Sequence, residues 1–367
     1  MKIKKLTFIN HKTGWNIKDA QFDNTTLLVG ASGVGKTQIL RALQMLSDIA
    51  NGYSFEGVEW NISFSQAGKD YQWAGEFGLA GGQEPLNLGT DNTFPIVSER
   101  LMEGETELVL RKDAVLRYKG EETVKLDSYR SAIDVLKDED GVYCVYDAFA
   151  QVYDLGNRDG LLSCDELSSD MLNREQQLAY IKARRSWGVV TNLYLLKKNQ
   201  LPEFHTICKT FSSVFPLVEE LDFTLLHTTH CSVRPILHIK EKGTNALVSC
   251  DNMSSGMFKA LVLITTLTLA EDGDVLLIDE WGNGMDMNCI ANLFDVILNT
   301  DTDIQLIVTS HQPYVIGAFS PLQWKVVTRK GGDVSLHSAR ELNIGLHSHH
   351  DAFMELLRTK AYNTGQL

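Results

Sequence analysis

Apolar and polar residues alternate through Ile3, Leu6 and Phe8 at the start of the chain, as in a strand covered on one face. The next apolar run, TTLLVG at Thr25 to Gly30, drops the alternation and reads as a strand buried on both sides that ends in a glycine turn. In KTQILRALQMLSDIA, which follows, Ile39, Leu40, Leu43, Met45, Leu46 and Ile49 recur at helical spacing, so the order here is strand, loop, helix. From Tyr53 to Leu126 the pattern turns to short alternating segments, VEWNISFSQ, YQWAGEFGL, ETELVLR, AVLRYKG and ETVKLD, broken by Gly, Asn and Asp. Such a series predicts an antiparallel sheet. Residues 127–221 read as mainly helical, with NREQQLAYIKARRSW and LPEFHTICKTFSSVF as the clearest stretches.

From RPILHIKEKG onward, helices and strands alternate again. SSGMFKALVLITTLTLA predicts a helix, DVLLIDE a buried strand, MDMNCIANLFDVILNT a helix, IQLIVTSH a second buried strand and WKVVTRKGGDVSLHS a hairpin. DAFMELLRT is the final helix, with HSHH before it as a capping loop. The expected division is therefore 1–126 for the N-terminal part of a head, 127–221 for a mainly helical insertion, 222–345 for the C-terminal part of the head and 346–367 for a C-terminal helix. The fold class expected is α/β, a mixed sheet with an antiparallel β-subdomain and a helical insertion.

Composition changes this picture little. A hydrophobic content of 44% is ordinary for a globular chain. No run approaches the roughly 18–20 apolar residues of a bilayer span, and MKIKKLTFIN lacks a signal-peptide core, so the expected setting is cytoplasmic, without a membrane. Six cysteines, Cys144, Cys164, Cys208, Cys231, Cys250 and Cys289, form no Cys-x-x-Cys pair and read as reduced thiols. Charge bears on partners: at −13 the whole surface does not attract nucleic acid, and such binding would need a local basic groove. Lys182, Arg184 and Arg185 beside Trp187, with Lys197 and Lys198 nearby, are the candidates for that groove, and a solvated helix face is the competing reading.

The candidate chemistry begins at Gly30–Thr37, GASGVGKT, which fits G-x-x-x-x-G-K-[ST] between a strand and a helix. Glycines there let backbone N–H groups turn toward phosphates, and the helix N-terminus adds its positive end. Lys36 would reach the outer phosphates and Thr37 would ligate magnesium. Asp274–Glu280 is an apolar strand ending in two acids, so Asp279 would hold the metal and Glu280 would polarise an attacking water.

With these motifs in order, the chain resembles the ABC-type ATPases. IDEWGNGMD has the layout of that family's Walker B and D-loop, with Asp286 at the D-loop aspartate; NMSSGMFKAL looks like its signature, with Ser254, Ser255 and Gly256 heading a helix; LIVTSHQPYVI sets His311 at its switch histidine. The resemblance implies ATP and Mg2+ as cofactors, with nucleotide contacts from Gly30, Ser32, Gly33, Val34, Gly35, Lys36, Thr37 and Gln38. It assigns catalysis to Glu280 and His311, and magnesium to Thr37, Asp279 and a glutamine, Gln72 or its rival Gln66. It also implies that the signature binds the γ-phosphate held by a second head, so ATP would build a homodimer or larger homo-oligomer. Trp281 stands where many of these proteins carry proline, and Met257 replaces the usual glutamine, which weakens any transporter-type reading.

A sheet, an insertion without sustained heptads and then SSG look more like the OLD, RecF and Rad50 ATPases, above all the OLD-type ATPase subunits of two-component anti-phage systems such as Septu and PARIS. OLD nucleases carry a Toprim domain downstream, for which the residues after His311 are too few, so the resemblance implies a separate effector, a nuclease being one candidate. The leading expectation is an ATPase that gates this effector in defence. A RecF- or Rad50-like ATPase of DNA maintenance is the alternative, and an ABC transport subunit is third. His347, His349, His350 and Asp351 carry a minor metal-site reading.

Overall fold

The computed structural model describes residues 1–79, 94–112, 115–155, 167–168, 177–182, 188–229, 232–244, 247–298, 300–345 and 348–367. Two compact units are formed, one from Met1–Asp154, Asp272–Glu280 and Asp303–Leu367, the other from Leu155–Glu271 and Trp281–Thr302. The first opens with β1 (Lys2–Asn10), β2 (Trp15–Gln21) and β3 (Thr25–Val29), and a glycine loop leads into α1 (Lys36–Ala50). A meander follows, with β4 (Val58–Gln66), β5 (Lys69–Phe77), β6 (Ile96–Glu103), β7 (Thr106–Lys112), β8 (Val115–Tyr118) and β9 (Glu121–Glu122). Helices α2 (Ala132–Val135) and α3 (Val142–Ala150) precede β10 (Val152–Asp154). In the second unit come β11 (Leu167–Ser168), α4 (Leu178–Lys182), α5 (Val189–Lys198), α6 (Pro202–Val214), β12 (Val218–Thr229), β13 (Ser232–Glu241), β14 (Leu247–Ser249) and α7 (Ser255–Leu269). The chain re-enters the first unit at β15 (Val275–Ile278), gives α8 (Met287–Leu298) to the second, and ends in the first with β16 (Gln305–Thr309), α9 (Pro313–Ala318), β17 (Trp324–Lys330), β18 (Asp333–Ser338), α10 (His349–Arg358) and α11 (Lys360–Thr364).

One 14-stranded sheet organises the first unit, in the order β10-β15-β16-β3-β17-β18-β2-β1-β4-β5-β6-β7-β8-β9. From β10 to β17 all neighbours are parallel, and from β1 to β9 all are antiparallel. The parallel strands β3, β15 and β16 carry apolar residues in succession without alternation because both faces are covered, and Leu27, Leu28, Val275, Leu276, Leu277, Ile307 and Val308 are fully buried. The antiparallel strands keep the alternation read from sequence. On β5, Tyr71, Trp73, Gly75 and Phe77 are buried between more exposed neighbours.

An aromatic cluster holds the antiparallel strands to α3. Trp60 and Trp73 meet edge to face at 5.1 Å, and Trp73 meets Phe149 of α3 at 5.0 Å. Gly75 makes room for this: a Cβ there would stand 2.4 Å from the Trp60 ring. Ser47 Oγ of α1 donates to the Phe149 carbonyl at 2.8 Å, so the helix that follows the glycine loop is fastened to the same layer. This is an α/β P-loop fold with a mixed sheet and an antiparallel subdomain.

Elsewhere the pattern and the structure part. RPILHIKEKG does not rejoin the large sheet; as β13 it pairs with β12, β11 and β14 in a separate antiparallel sheet of the second unit. Of residues 127–221, α2, α3 and β10 pack in the first unit, while α4, α5 and α6 lie in the second.

Candidate nucleotide-binding site

The C-terminal ends of β3, β15 and β16 lie side by side, with Leu277 opposite Ile307 and Thr309 opposite Leu28. Open parallel sheets bind ligands at this edge. Here a cavity of about 410 Å3 is lined by Ser32, Gly33, Gly35, Lys36, Thr37 and Gln38 from the loop and helix, and by Asp279, Glu280 and His311 from the strand ends. Trp15, Thr309, Ser310 and Arg329 complete its wall.

The loop conformation follows from its glycines. Gly30 has φ 141°, and a Cβ there would stand 2.7 Å from the carbonyl oxygen of Val327 on β17. Gly35 has φ 105° and lies against the Trp15 ring, 2.8 Å from where a Cβ would be. Behind the loop, Val34 is buried beside Gly365 near the C-terminus, and the Arg329 N–H donates to the Gly365 carbonyl at 2.8 Å. The Arg329 guanidinium stacks over Trp15 at 4.2 Å and donates to the Gly33 carbonyl at 3.2 Å.

Within the cavity, Lys36 Nζ donates to the carbonyls of Gly30 and Ala31 at 2.8 and 2.9 Å. Burial pushes its ammonium below the ordinary lysine range, while the carboxylates of Asp279 and Glu280 pull the other way. Thr37 Oγ1 donates to Asp279 Oδ2 at 2.9 Å. Thr309 Oγ1 donates to Asp279 Oδ1 at 2.6 Å and accepts the Glu280 backbone N–H at 2.7 Å. Glu280 itself is held at φ 51°, a conformation uncommon for a residue with a side chain. A hydroxyl and a carboxylate in contact are the oxygen donors that a small hard cation takes, so Thr37 and Asp279 fit Mg2+.

Gln72 is not brought to this cavity. It lies on the exposed face of β5, where Nε2 donates to Asn61 Oδ1 at 2.9 Å. The strand continues through it without a break, and alternation turns it outward while Tyr71 and Trp73 turn inward. Its rival Gln66 ends β4 near Gly273, at the end of β15 opposite Asp279. Neither lines the cavity.

Ser254, Ser255, Gly256 and Asp286 belong to the second unit. Ser254 is the N-cap of α7 and accepts the Met257 N–H at 3.2 Å. Gly256 is required because a Cβ would stand 2.3 Å from the Gly284 carbonyl oxygen. Asp286 Oδ1 accepts the Cys289 N–H at 2.7 Å at the start of α8. Thus the serine-glycine turn and the loop at 281–286 support one another. Lys182 lies 3.7 Å from Glu271, whereas Arg184, Arg185 and Trp187 fall outside the described residues, as do Cys164, Cys231 and His347. His349 and His350 are exposed in the first turn of α10, capped by Ser348.

Four residues of the cavity, Trp15, Thr309, Ser310 and Arg329, lie outside the motif assignments. The threonine and serine of LIVTSH carried a signal, since polar residues closing a buried parallel strand face the ligand edge. Trp15 and Arg329 carried none, because strand order alone brings them to the loop.

No curated protein matches the chain. Among similar solved structures is the Smc head bound to the C-winged helix domain of ScpA, with 13% identity, a TM-score of 0.49 and coverage of 92% of this chain and 97% of that one. Another is the Smc head domain with an extended coiled coil bound to the C-terminal domain of ScpA from Pyrococcus furiosus, at 14%, 0.46, 98% and 100%. The SMC head domain from Thermotoga maritima gives 16%, 0.42, 92% and 99%. No helix among the described residues is long and apolar enough to cross a membrane. Residues 25–317, which contain the loop, both acids and His311, match the family described as "AAA domain, putative AbiEii toxin, Type IV TA system", and the chain belongs to that family.

Proposed function

We propose that the protein binds and hydrolyses ATP in this cavity and uses the cycle to gate a partner effector in anti-phage defence. The observation that carries the ATPase reading is the cluster of Lys36, Thr37, Asp279, Thr309 and Glu280 around one cavity. The backbone N–H groups of the loop and Lys36 hold the phosphates. Thr37 and Asp279 hold Mg2+, which supplies charge neutralisation at the transferred phosphoryl group. Glu280 accepts a proton from the attacking water, and His311, just beyond the end of β16, contacts the terminal phosphate. Ser254, Ser255, Gly256 and Asp286 act on ATP held by a second copy, so that the terminal phosphate controls assembly. Support for a two-component defence role comes from the family's description as a putative toxin of a toxin–antitoxin system, together with the resemblance to ATPase subunits that work beside a separate effector.

Two variants test this reading. Lys36→Ala should lose nucleotide binding. Glu280→Gln should bind ATP with near wild-type affinity and hydrolyse it at least 100-fold more slowly, because binding survives while water activation fails. Normal hydrolysis by Glu280→Gln would refute the assignment of the base. The effector reading is tested by purifying Glu280→Gln in ATP with its neighbouring gene products and weighing the intact complex. A defined complex with a second protein is expected, and an isolated dimer that retains DNA would reject gating in favour of DNA maintenance.

A further inference from the structure

A buried arginine in the antiparallel part of the first unit stands apart from the nucleotide cavity. Glu99 on β6 and Arg111 on β7 are directly opposite in the ladder, and only 1% and 3% of their side-chain surfaces are exposed. They do not close into a hydrogen-bonded pair, since Arg111 Nε lies 4.0 Å from Glu99 Oε2. The Glu99 carboxylate is served by neutral donors instead. Trp73 Nε1–H and Ser131 Oγ–H donate to Oε1 at 3.0 and 2.6 Å, and the Ala132 N–H donates to Oε2 at 2.8 Å.

The guanidinium is left poorly matched. Nη1 donates to the Ser128 carbonyl at 3.3 Å, and Nη2 is buried without a hydrogen-bond partner among the described residues. Buried donors of a charged group are costly to leave unmet, so such a group calls for an occupant. Arg111 forms part of the wall of a cavity of about 240 Å3. Ile96, Leu116 and Leu126 give that wall an apolar side, Lys125 adds a second cation and Glu122 one carboxylate.

We propose that this cavity binds a small organic monocarboxylate, with its carboxylate on the Arg111 fork and its apolar body against Ile96, Leu116 and Leu126. The fork's two parallel N–H groups match a carboxylate in geometry as well as charge. Water would satisfy donors but would leave the apolar side wet. A phosphate dianion would bring oxygens for which the apolar side has no donors, and Glu122 would repel its second charge. The volume lies below the roughly 300 Å3 at which pockets for drug-sized ligands begin, so the body is short.

Titration calorimetry on the intact protein with benzoate, with isovalerate and separately with inorganic phosphate tests the assignment. Saturable binding of at least one carboxylate is expected. Arg111→Lys, which keeps the charge and loses the fork, should weaken it at least ten-fold. Lys125→Glu, at an exposed position that does not threaten the fold, should weaken it less. Circular dichroism before each titration verifies that the variants are folded, and ATP binding should be unchanged in both. Absence of saturable binding by either carboxylate, affinity indifferent to both substitutions, or binding of phosphate alone would overturn the proposal.

Discussion

At the scale of single residues, Thr309 ties the two acids of the site together. Its hydroxyl spends its proton on Asp279 and offers its lone pair to the Glu280 N–H. Glu280 is held at φ 51°, so the contact also helps to keep a strained backbone in place. Thr309→Val preserves the shape and removes both bonds; Asp279 Oδ1 keeps Thr37 Oγ1 at 3.1 Å, and the part-buried Glu280 N–H loses its acceptor at a cost of about 1–3 kcal/mol. If that cost falls on the aim of Glu280, hydrolysis slows roughly 10- to 100-fold while ATP affinity changes little. Thr309→Ser keeps the hydroxyl and should restore most of the rate. Equal loss in the valine and serine variants would mean that the hydroxyl and its two hydrogen bonds are not enough to account for the role of Thr309. Steady-state hydrolysis and equilibrium ATP binding, measured on both variants, separate these outcomes.

Among the elements, the parallel strands and the helices beside them were legible because their signals are local. TTLLVG, DVLLIDE and IQLIVTSH are apolar on both faces, and KTQILRALQMLSDIA has one apolar side; the structure forms β3, β15, β16 and α1 from them. Pairing was not legible. RPILHIKEKG alternates as any half-buried strand does, and nothing in its own residues distinguishes an extension of the large sheet from the hairpin it makes with β12. Gln72 fell to the same limit: a glutamine in an alternating strand gives no sign of its distance from a loop many residues away. The hairpin β17–β18 was readable from its Gly-Gly turn, and it carries a pH test. His337 is partly buried on β18 with Nε2 at 2.9 Å from Thr328 Oγ1, and burial lowers its imidazole below the ordinary value of 6.5 while Glu341 opposes the shift. The unfolded chain therefore binds the proton more readily than the folded one. The stability contributed by the neutral ring is complete above pH 6.5 and is lost as the pH falls from there through the lowered folded value. Denaturant midpoints between pH 7.5 and 5 should decline less steeply in His337→Gln than in the wild type, and equal slopes would remove His337 from the acid response.

For the molecule as a whole, the decisive matter is whether its two motif sets serve one chain or two. The phosphate loop and both acids lie in the first unit, and the Ser254–Gly256 turn with Asp286 lies in the second. In the proposed assembly each loop works with the turn of another copy, and this makes a prediction by counting. Lys36→Ala disables one partner of every composite site, and Ser255→Arg, at an exposed helix start, disables the other. Each variant alone should be inactive. Mixed in equal amounts, the two form hybrids in about half of all dimers, and each hybrid retains one intact site built from the unmodified loop of one copy and the unmodified turn of the other. Hydrolysis should then return to about a quarter of the wild-type rate. If each loop instead used the turn of its own chain, every chain in the mixture would carry one defect in its only site, and no activity would return. The same mixture prepared with both substitutions on one chain and none on the other controls for exchange: under the composite reading its hybrids hold no intact site, so its activity should fall below that of the same amount of unmodified protein alone.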